Sequence, residues 1–212
     1  MWGKFLSSDN ASGKIQIARE FSERLWNRHI EFIGISGSVS YTPEPGDDID
    51  IFLITKNGWL WPELFWAFLL RRILRMNDIC LSLSLDSSSA GLLFQRLTHL
   101  QERDAMHVIP MKGKDFYYEL LRQRQVVDAQ GDVPALSNST TKLAPKTFMG
   151  LINIVFFLLM SPLQKLKEIR FNSLYFRTEP EVIYHIRMGP GTLILDSEKY
   201  RKLSGYVEET ND

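Results

Sequence analysis

The stretch 33-IGISGSVSYTPEPGDDIDIFLI-54 decides the fold of this 212-residue chain. Its first four residues are apolar or small, and they predict a short buried strand that runs into Gly37 and Ser38. Residues 43–46 contain two prolines and a glycine, so the chain turns there before a second apolar run begins. That run, residues 48–54, is rich in branched side chains and predicts a central strand.

Two aspartates open the second strand. Successive side chains of a strand alternate between faces, so Asp48 and Asp50 point the same way, about 7 Å apart. Carboxylates held this close repel one another, and a hard divalent cation such as Mg²⁺ would neutralise them. Gly37 lets backbone N–H groups approach a phosphate, and the Ser38 hydroxyl adds a donor. The pattern predicts a metal site beside a phosphate cradle, with ordinary turn and capping aspartates as the alternative.

The segment from Gly37-Ser38 to Asp48 and Asp50, with ten residues from the serine to the first aspartate, resembles the signature of the DNA polymerase beta-like nucleotidyltransferase superfamily. A looser similarity to a group of small prokaryotic predicted nucleotidyltransferases extends to about residue 127. The resemblance implies an α+β nucleotidyltransferase fold, with a small mixed sheet flanked by helices. It also implies that Gly37 and Ser38 contact a nucleoside triphosphate and that Asp48 and Asp50 bind Mg²⁺ or Mn²⁺.

The function implied by this resemblance is transfer of a nucleoside monophosphate from a nucleoside triphosphate to a hydroxyl acceptor. ATP is the expected donor, and the acceptor is not identified by these residues. In the superfamily, the two aspartates bridge two metal ions, which stabilise the attacking and leaving oxygens. A third carboxylate on the following strand completes the site.

The third carboxylate has two interpretations in this sequence. Residues 78–85 alternate, with isoleucine and leucine on one face and Asp78, Cys80 and two serines on the other. If a crossover helix makes this strand parallel to the previous one, Asp78 lies near Asp48, and Asp86 lies far away. Asp78 is therefore the candidate third metal ligand and catalytic residue. If the acidic position of the family falls on Cys80 instead, no third acid is present.

Tyr41 marks a second departure from the superfamily, because many relatives carry an arginine three residues after the serine. Tyrosine donates one hydrogen bond but carries no charge to hold triphosphate oxygens. The alternative function is therefore a catalytically degenerate module of the same fold that binds a nucleotide or a partner. Six lysines could serve a nucleotide, although each also fits an ordinary surface charge. They are Lys112, Lys114, Lys142, Lys146, Lys165 and Lys167.

Composition limits the classes of partner. The net charge is zero, so any binding to nucleic acid or to an anionic membrane must come from local patches. The single cysteine, Cys80, excludes an internal disulfide and a cysteine-based zinc site. The four histidines show no ligand spacing. The N-terminus lacks the apolar core of a secretion signal, which predicts a cytoplasmic protein.

The periodicities divide the chain into a nucleotidyltransferase-like domain (1–127), a linker or mobile loop (128–146) and a mainly helical C-terminal region (147–212). Two of the predicted helices, 59–76 and 147–171, are strongly apolar. Both are expected to fall short of the ~20 apolar residues that span a membrane. The first could lie against a membrane, although burial against the sheet or a partner subunit is the usual explanation, and the second is a candidate for a core helix or a homodimer contact. The other predicted elements are helices at 13–29, 89–102 and 116–125, a hairpin at 182–195, and a last helix capped by Asp196 that reaches about residue 209.

Overall fold

The structure is a computed structural model that describes residues 11–40, 47–95, 107–130, 148–175 and 184–197. It is α+β, with a mixed sheet of six strands flanked by helices, which confirms the predicted class. The helices are α1 (Ala11–Leu25), α2 (Leu60–Ile73), α3 (Ser87–Gln95), α4 (Lys114–Gln130) and α5 (Phe148–Tyr175). The strands are β1 (Ile30–Ser36), β2 (Ile49–Thr55), β3 (Ile79–Asp86), β4 (Ile109–Lys112), β5 (Tyr184–Gly189) and β6 (Thr192–Ser197).

The strands lie in the order β4-β1-β2-β3-β6-β5. β2 and β3 are parallel because α2 crosses over between them, and the other neighbouring strands are antiparallel. The end of β1 and the starts of β2 and β3 therefore meet at one end of the sheet. We call this the Asp48 end.

Strand β2 is buried on both faces. Ile51 and Leu53 pack in a cluster with residues of α1 and α2, whereas Phe52 and Ile54 pack in a second cluster with residues of α3 and α4. All four side chains are inaccessible to solvent. Burial of each contributes about 1.5–3 kcal/mol, so β2 is a firm support for the residues at its start.

Strand β3 departs from the regular alternation that its sequence predicts. Ile79 and Leu81 pack in the α1/α2 cluster as expected, but Leu83 and Leu85 face the α3/α4 cluster. The pairing with β2 shifts by one residue between Asp50 and Phe52, which is a bulge in β3. The prediction of one apolar face along the whole strand was therefore wrong, because the extra residue reverses the faces after Leu81.

The C-terminal part of the chain supplies a helix and a hairpin. The predicted hairpin is confirmed as β5 and β6, and β6 pairs with β3, so the hairpin extends the main sheet. Asp196 lies within β6, and the prediction that it caps a helix was wrong because its segment pairs with β5. The remainder of that predicted helix, residues 198–209, lies outside the described residues.

Helix α4 is longer than the sequence predicted, and a short strand precedes it. Residues 128–130 belong to α4, and the rest of the predicted linker lies outside the described part of the chain. α3 is described as far as Gln95. The segment before Gly113 forms β4. Gly113 has a φ of 71°, and its Cα lies against the backbone of β1. A Cβ there would lie 1.9 Å from the carbonyl oxygen of Glu31, so the close approach of β4 to β1 requires glycine.

Helix α5 is longer than predicted and continues through Pro162. Residues Phe148–Ser173 are long and apolar enough to cross a membrane by length and composition, with 11% of the most apolar window buried. The prediction that this helix falls short of the spanning length was therefore wrong. α5 packs beside α2 through Phe156, which contacts Phe65 with ring centroids 5.3 Å apart.

Candidate functional site

The Asp48 end of the sheet brings the sequence motif together. Ser36, the last residue of β1, pairs with Asp50 across the antiparallel ladder. Asp50 in turn pairs with Cys80 across the parallel ladder between β2 and β3. The three residues therefore form a row across adjacent strands, and Gly37 follows directly at the end of β1.

Gly37 lies against the carboxylate of Asp50. It has a φ of 67°, in the left-handed region that side chains rarely adopt. A Cβ at this position would lie 2.3 Å from Oδ2 of Asp50. The glycine that was predicted to admit a phosphate is thus also required for the Asp50 carboxylate to occupy its observed position.

The short 3₁₀ turn Ser38–Ser40 closes the loop beside Gly37. The backbone N–H of Ser40 donates to the carbonyl oxygen of Gly37 at 3.0 Å, and the Ser40 hydroxyl donates to the same oxygen at 2.7 Å. Ser38, the first residue of the turn, is half-buried. These bonds fix a loop of small residues next to a carboxylate. Such a loop can present backbone donors to an anion.

Asp48 and Asp78 lie next to one another at the starts of their strands. The N–H of Ile49 donates to the carbonyl oxygen of Asp78 at 2.6 Å, which ties the residue after Asp48 to Asp78. Both aspartates are exposed residues, and their charges interact. The parallel pairing that the sequence predicted for these strands is confirmed, and it brings Asp78 close to Asp48.

The pKa of Asp48 is raised above the ordinary aspartate value, mainly because its carboxyl group is partly withdrawn from water. The negative charges of Asp78 and Asp47 add to this rise, whereas Arg71 and Lys167 oppose it. Since the folded state then holds the proton more tightly than the unfolded state, ionisation of Asp48 destabilises the fold as the pH rises through the raised pKa. A bound cation would remove this cost.

Cys80 stands beside Asp50, where a third acid inside β3 would complete the row. Burial raises the pKa of its thiol to about 12, and the negative charges of Asp50 and Asp48 contribute. In the described part of the chain, no group of three or more histidine, cysteine or acidic side chains is arranged to hold a metal ion. Asp78 lies beside Asp48 before β3 begins, outside the row formed by Ser36, Asp50 and Cys80.

We expect Cys80 to resist alkylation in the folded protein. At pH 8 a thiol with a pKa of about 12 is ionised to a fraction of roughly 10⁻⁴, against about 0.2 for an ordinary cysteine, so iodoacetamide should react on the order of a thousandfold more slowly. Because Cys80 is the single cysteine, mass spectrometry of the intact chain measures its reaction directly. The urea-unfolded protein is the control, and equal rates in both states would contradict the buried thiol.

Two basic residues act on the carboxylates at the Asp48 end. Arg71, at the end of α2, donates from Nη2 to the carbonyl oxygen of Asn77 at 3.0 Å, which holds it near the start of β3. Lys167 reaches the same end of the sheet from α5, and both residues lower the pKa of Asp48. Sequence reasoning had included Lys167 among six lysines and had missed Arg71. The available signal was that α2 ends in arginines just before the strand that starts beside Asp48.

The other candidate lysines have separate surroundings or lie outside the described residues. Lys165 donates to Glu168 at 2.6 Å, and Lys112 lies 3.9 Å from the carboxylate of Glu23. The ammonium group of Lys114 lies 5.3 Å from the ring centroid of Tyr118. Tyr41, Lys142 and Lys146 fall in the parts of the chain that the structure does not describe.

Asp86 lies at the opposite end of β3, as predicted. Its Oδ1 accepts hydrogen bonds from the backbone N–H of Ser89 at 2.8 Å and from the hydroxyl of Ser88 at 3.0 Å. These bonds cap the first turn of α3, which gives Asp86 a structural role.

Comparison with protein families, with characterised proteins and with solved structures finds no match to this chain.

Proposed function

We propose that this chain is a metal-dependent nucleotidyltransferase that moves a nucleoside monophosphate from a nucleoside triphosphate, with ATP the expected donor, to a hydroxyl acceptor. One observation carries the proposal: the Asp50 carboxylate lies directly against Gly37, in a loop of small residues, at the strand end that also holds Asp48. A phosphate bound in this loop would lie beside the Asp50 carboxylate, and Asp48 stands two residues before Asp50 at the same end of the sheet. That proximity is what a shared divalent cation requires.

The residues fit a cation that is held jointly by protein and substrate. Mg²⁺ in phosphoryl-transfer sites is commonly bound through one or two carboxylates, with water and substrate phosphate oxygens completing its coordination. Asp48 and Asp50 would supply two hard oxygen ligands. Burial raises the pKa of Asp48 and so disfavours its ionised form, and a bound cation would offset this cost. Such a cation would polarise the phosphates and neutralise the charge that develops on them.

The remaining residues of the site would orient and neutralise the substrate. Gly37 and Ser38 would hold the triphosphate through their backbone and hydroxyl donors. Arg71 and Lys167 bring positive charge to the same end of the sheet, which offsets the missing arginine at position 41. Asp78 is the proposed third acid. In the reaction, the acceptor oxygen forms a bond to the α-phosphorus, the bond to the bridging oxygen breaks, pyrophosphate leaves, and the hydroxyl proton passes to solvent.

The proposal is tested by incubating the purified chain with Mg²⁺ and α-labelled ATP in the presence of separate acceptor pools. The pools are small hydroxyl compounds, protein and RNA with a free 3′ end. Transfer of label that requires Mg²⁺ would support the enzyme. Calorimetry with a nonhydrolysable ATP analogue and Mn²⁺ measures binding independently of the acceptor, and no binding at all would refute the site.

The second candidate is a catalytically degenerate nucleotide-binding module of the same fold. The observation that favours it is Cys80, which occupies the position beside Asp50 and carries a protonated thiol. In this case the calorimetric experiment would show nucleotide binding, while the labelled ATP would give no transfer to any acceptor pool.

Replacing Cys80 by aspartate should separate the two candidates. Without metal, the new carboxylate lies beside Asp50 at a buried position, so we expect the free energy of unfolding to fall by about 3 kcal/mol. Saturating Mn²⁺ should raise the free energy of unfolding of this variant by a comparable amount, because three carboxylates bind the ion more tightly than two. Thermal unfolding with and without Mn²⁺ measures both effects.

The matched control is Cys80→Asn, which has the same shape as the aspartate but no charge. The free energy of unfolding of Cys80→Asn should be lower than that of the natural chain, and Mn²⁺ should not restore it. If Cys80→Asp also gains nucleotidyl transfer over the natural chain, the degenerate module is supported. If Mn²⁺ fails to stabilise Cys80→Asp any more than Cys80→Asn, position 80 does not face the cation.

A further inference from the structure

Helices α2 and α5 present a large apolar surface to solvent. Of the fifteen large hydrophobic side chains that are exposed among the described residues, twelve belong to these two helices. We call them the apolar face, and they are Phe65, Trp66, Leu69 and Ile73 on α2, with Phe148, Leu151, Val155, Leu158, Leu159, Leu163, Leu166 and Ile169 on α5. The eight on α5 are between 51% and 75% exposed.

The apolar face is continuous and too large for an ordinary monomer surface. Its α5 residues recur at the helical period from Phe148 to Ile169, so they form a straight stripe about 32 Å long. With roughly 100 Å² of exposed surface for each of the twelve side chains, the face covers on the order of 1,000 Å². The largest apolar patch on a typical soluble monomer is about 300–600 Å².

The opposite side of α5 is fixed to the rest of the protein. Oδ1 of the buried Asn153 accepts from the N–H of Trp61 at 2.9 Å, and its Nδ2 donates to the carbonyl oxygen of Pro190 at 2.8 Å. Further along the helix, the buried Glu168 accepts from Lys165, which also donates to the carbonyl oxygen of Ile186 at 3.1 Å. α5 therefore cannot cross a bilayer without breaking these contacts, although it has the composition of a spanning helix. In this fold, only the exposed side of α5 is available to an external partner.

The exposed charges of these helices have one sign. The acidic residues Glu63 and Glu168 are buried, where they accept hydrogen bonds from Asn27 and Lys165. The exposed charged residues of α2 and α5 are Arg72, Lys165, Lys167 and Arg170, and Arg75 follows in the turn after α2. Lys165 is bonded to Glu168 and Lys167 acts on Asp48, so the charges available to a lipid surface are Arg72, Arg75 and Arg170.

These basic residues gather at one end of the apolar face. The two helices run in the same direction, because Gly58, just before α2, approaches Gly150 near the start of α5, while Trp61 bonds Asn153 one turn later. Arg72 lies in the last turn of α2, Arg75 follows it, and Arg170 lies toward the C-terminal end of α5. A cluster of this kind complements the phosphate groups of anionic lipids.

A second copy of the chain fits this face less well than lipid does. Every exposed residue of α5 from Phe148 to Leu163 is apolar or proline, and so is every exposed residue of α2 before Arg72. A protein interface of this area normally carries about one hydrogen bond per 100–200 Å², and among the exposed side chains of the apolar face only the Trp66 indole N–H can make one. Lipid acyl chains need no such partners, whereas a protein partner would also have to compensate the basic end.

We propose that the apolar face docks on the surface of an anionic lipid bilayer, with α2 and α5 lying in the plane of the headgroups. Trp66, Phe65 and the α5 stripe enter the boundary between headgroups and acyl chains, and the basic end contacts lipid phosphates. The chain is thus a peripheral membrane protein held by one side of its fold. This inference is independent of the proposed reaction.

The test is cosedimentation of the full chain with vesicles of phosphatidylcholine alone and of phosphatidylcholine with about one third phosphatidylglycerol. We expect the chain to pellet with the anionic vesicles, and the bound fraction to fall as salt is added. The double variant Leu159→Asp, Leu163→Asp should bind more than tenfold more weakly, because two apolar anchors become charged. The double variant Arg72→Gln, Arg170→Gln should lose about tenfold on anionic vesicles and little on neutral ones.

Leu92→Asp is the matched control, because Leu92 is an exposed leucine on α3, away from the apolar face. It should bind vesicles as the natural chain does, and circular dichroism confirms that each variant is folded. Sedimentation equilibrium without lipid measures the oligomeric state, which tests whether a second copy of the chain occupies the apolar face instead of lipid. Failure to bind either type of vesicle would overturn the proposal. A dimer that the Leu159→Asp, Leu163→Asp variant disrupts would show that a second copy covers the apolar face, and a monomer would show that another part of the chain covers it.

Discussion

Asp50→Asn is expected to lower nucleotidyl transfer by about 10² to 10³-fold while the protein stays folded. The amide keeps the shape of the carboxylate beside Gly37, but it removes the charge that would hold the cation. Stabilisation by Mn²⁺ should disappear together with the activity, because both depend on the same ligand. Initial rates of label transfer and thermal unfolding with and without Mn²⁺ measure the two losses.

Asp115→Asn provides the control for a lost surface carboxylate. Asp115 is an exposed residue in the first turn of α4, which is not part of the Asp48 end. Its replacement should leave the rate of nucleotidyl transfer and the stabilisation by Mn²⁺ unchanged. In metal-free buffer, Asp50→Asn should remain folded, because the amide fills the same space beside Gly37 as the carboxylate does. Activity that survives in Asp50→Asn would exclude this residue from the metal site.

Gly37→Ala is expected to abolish metal-dependent activity at a modest cost in stability. The φ of 67° costs an alanine about 1–2 kcal/mol, which most folded domains tolerate. The new Cβ would clash with Oδ2 of Asp50. Because a side-chain carboxylate can rotate more easily than the backbone can shift, we expect the carboxylate to move. The proposed metal ligand is therefore displaced while the core remains packed. The assays are those used for Asp50→Asn, together with urea unfolding.

Substitutions at two other glycines serve as controls, because they distinguish loss of the metal ligand from loss of stability of the fold. Gly91 lies in α3 with open space around its missing side chain, so Gly91→Ala should raise stability by up to about 1 kcal/mol and leave Mn²⁺ binding intact. Gly113→Ala forces a Cβ against the backbone of β1 and should destabilise the fold far more than Gly37→Ala does. If Gly37→Ala kept full Mn²⁺ stabilisation, the contact with Asp50 would have no role in cation binding.

Local patterns in the sequence predicted most of the elements around the candidate site. The apolar run after Asp50 specified β2, and the glycine and serine after the preceding run specified the loop at the end of β1. The parallel pairing of β2 with β3 followed from the apolar helix between them, since a crossover of that length favours it. These features depend on side-chain periodicity over a few residues, and this is why they could be predicted from one sequence.

Features that depend on distant residues could not be predicted in the same way. Arg71 was missed because its role comes from where α2 ends relative to the sheet, and Lys167 could not be chosen among six lysines before α5 was placed. The bulge in β3 reversed the faces of Leu83 and Leu85, because pairing with β2 overrides the alternation of an isolated strand.

The sequence by itself determined the mixed α+β class, the strand that follows the two aspartates and the glycine-serine position at the end of β1, since each follows from backbone conformation and strand alternation. Tertiary structure alone decided that the Asp50 carboxylate touches Gly37, that Cys80 lies in the row beside Asp50, and that α5 exposes one apolar side while binding the sheet with the other. The physical reason is that burial and charge at each of these positions are set by residues far away in the chain, whose distances become fixed when the sheet assembles.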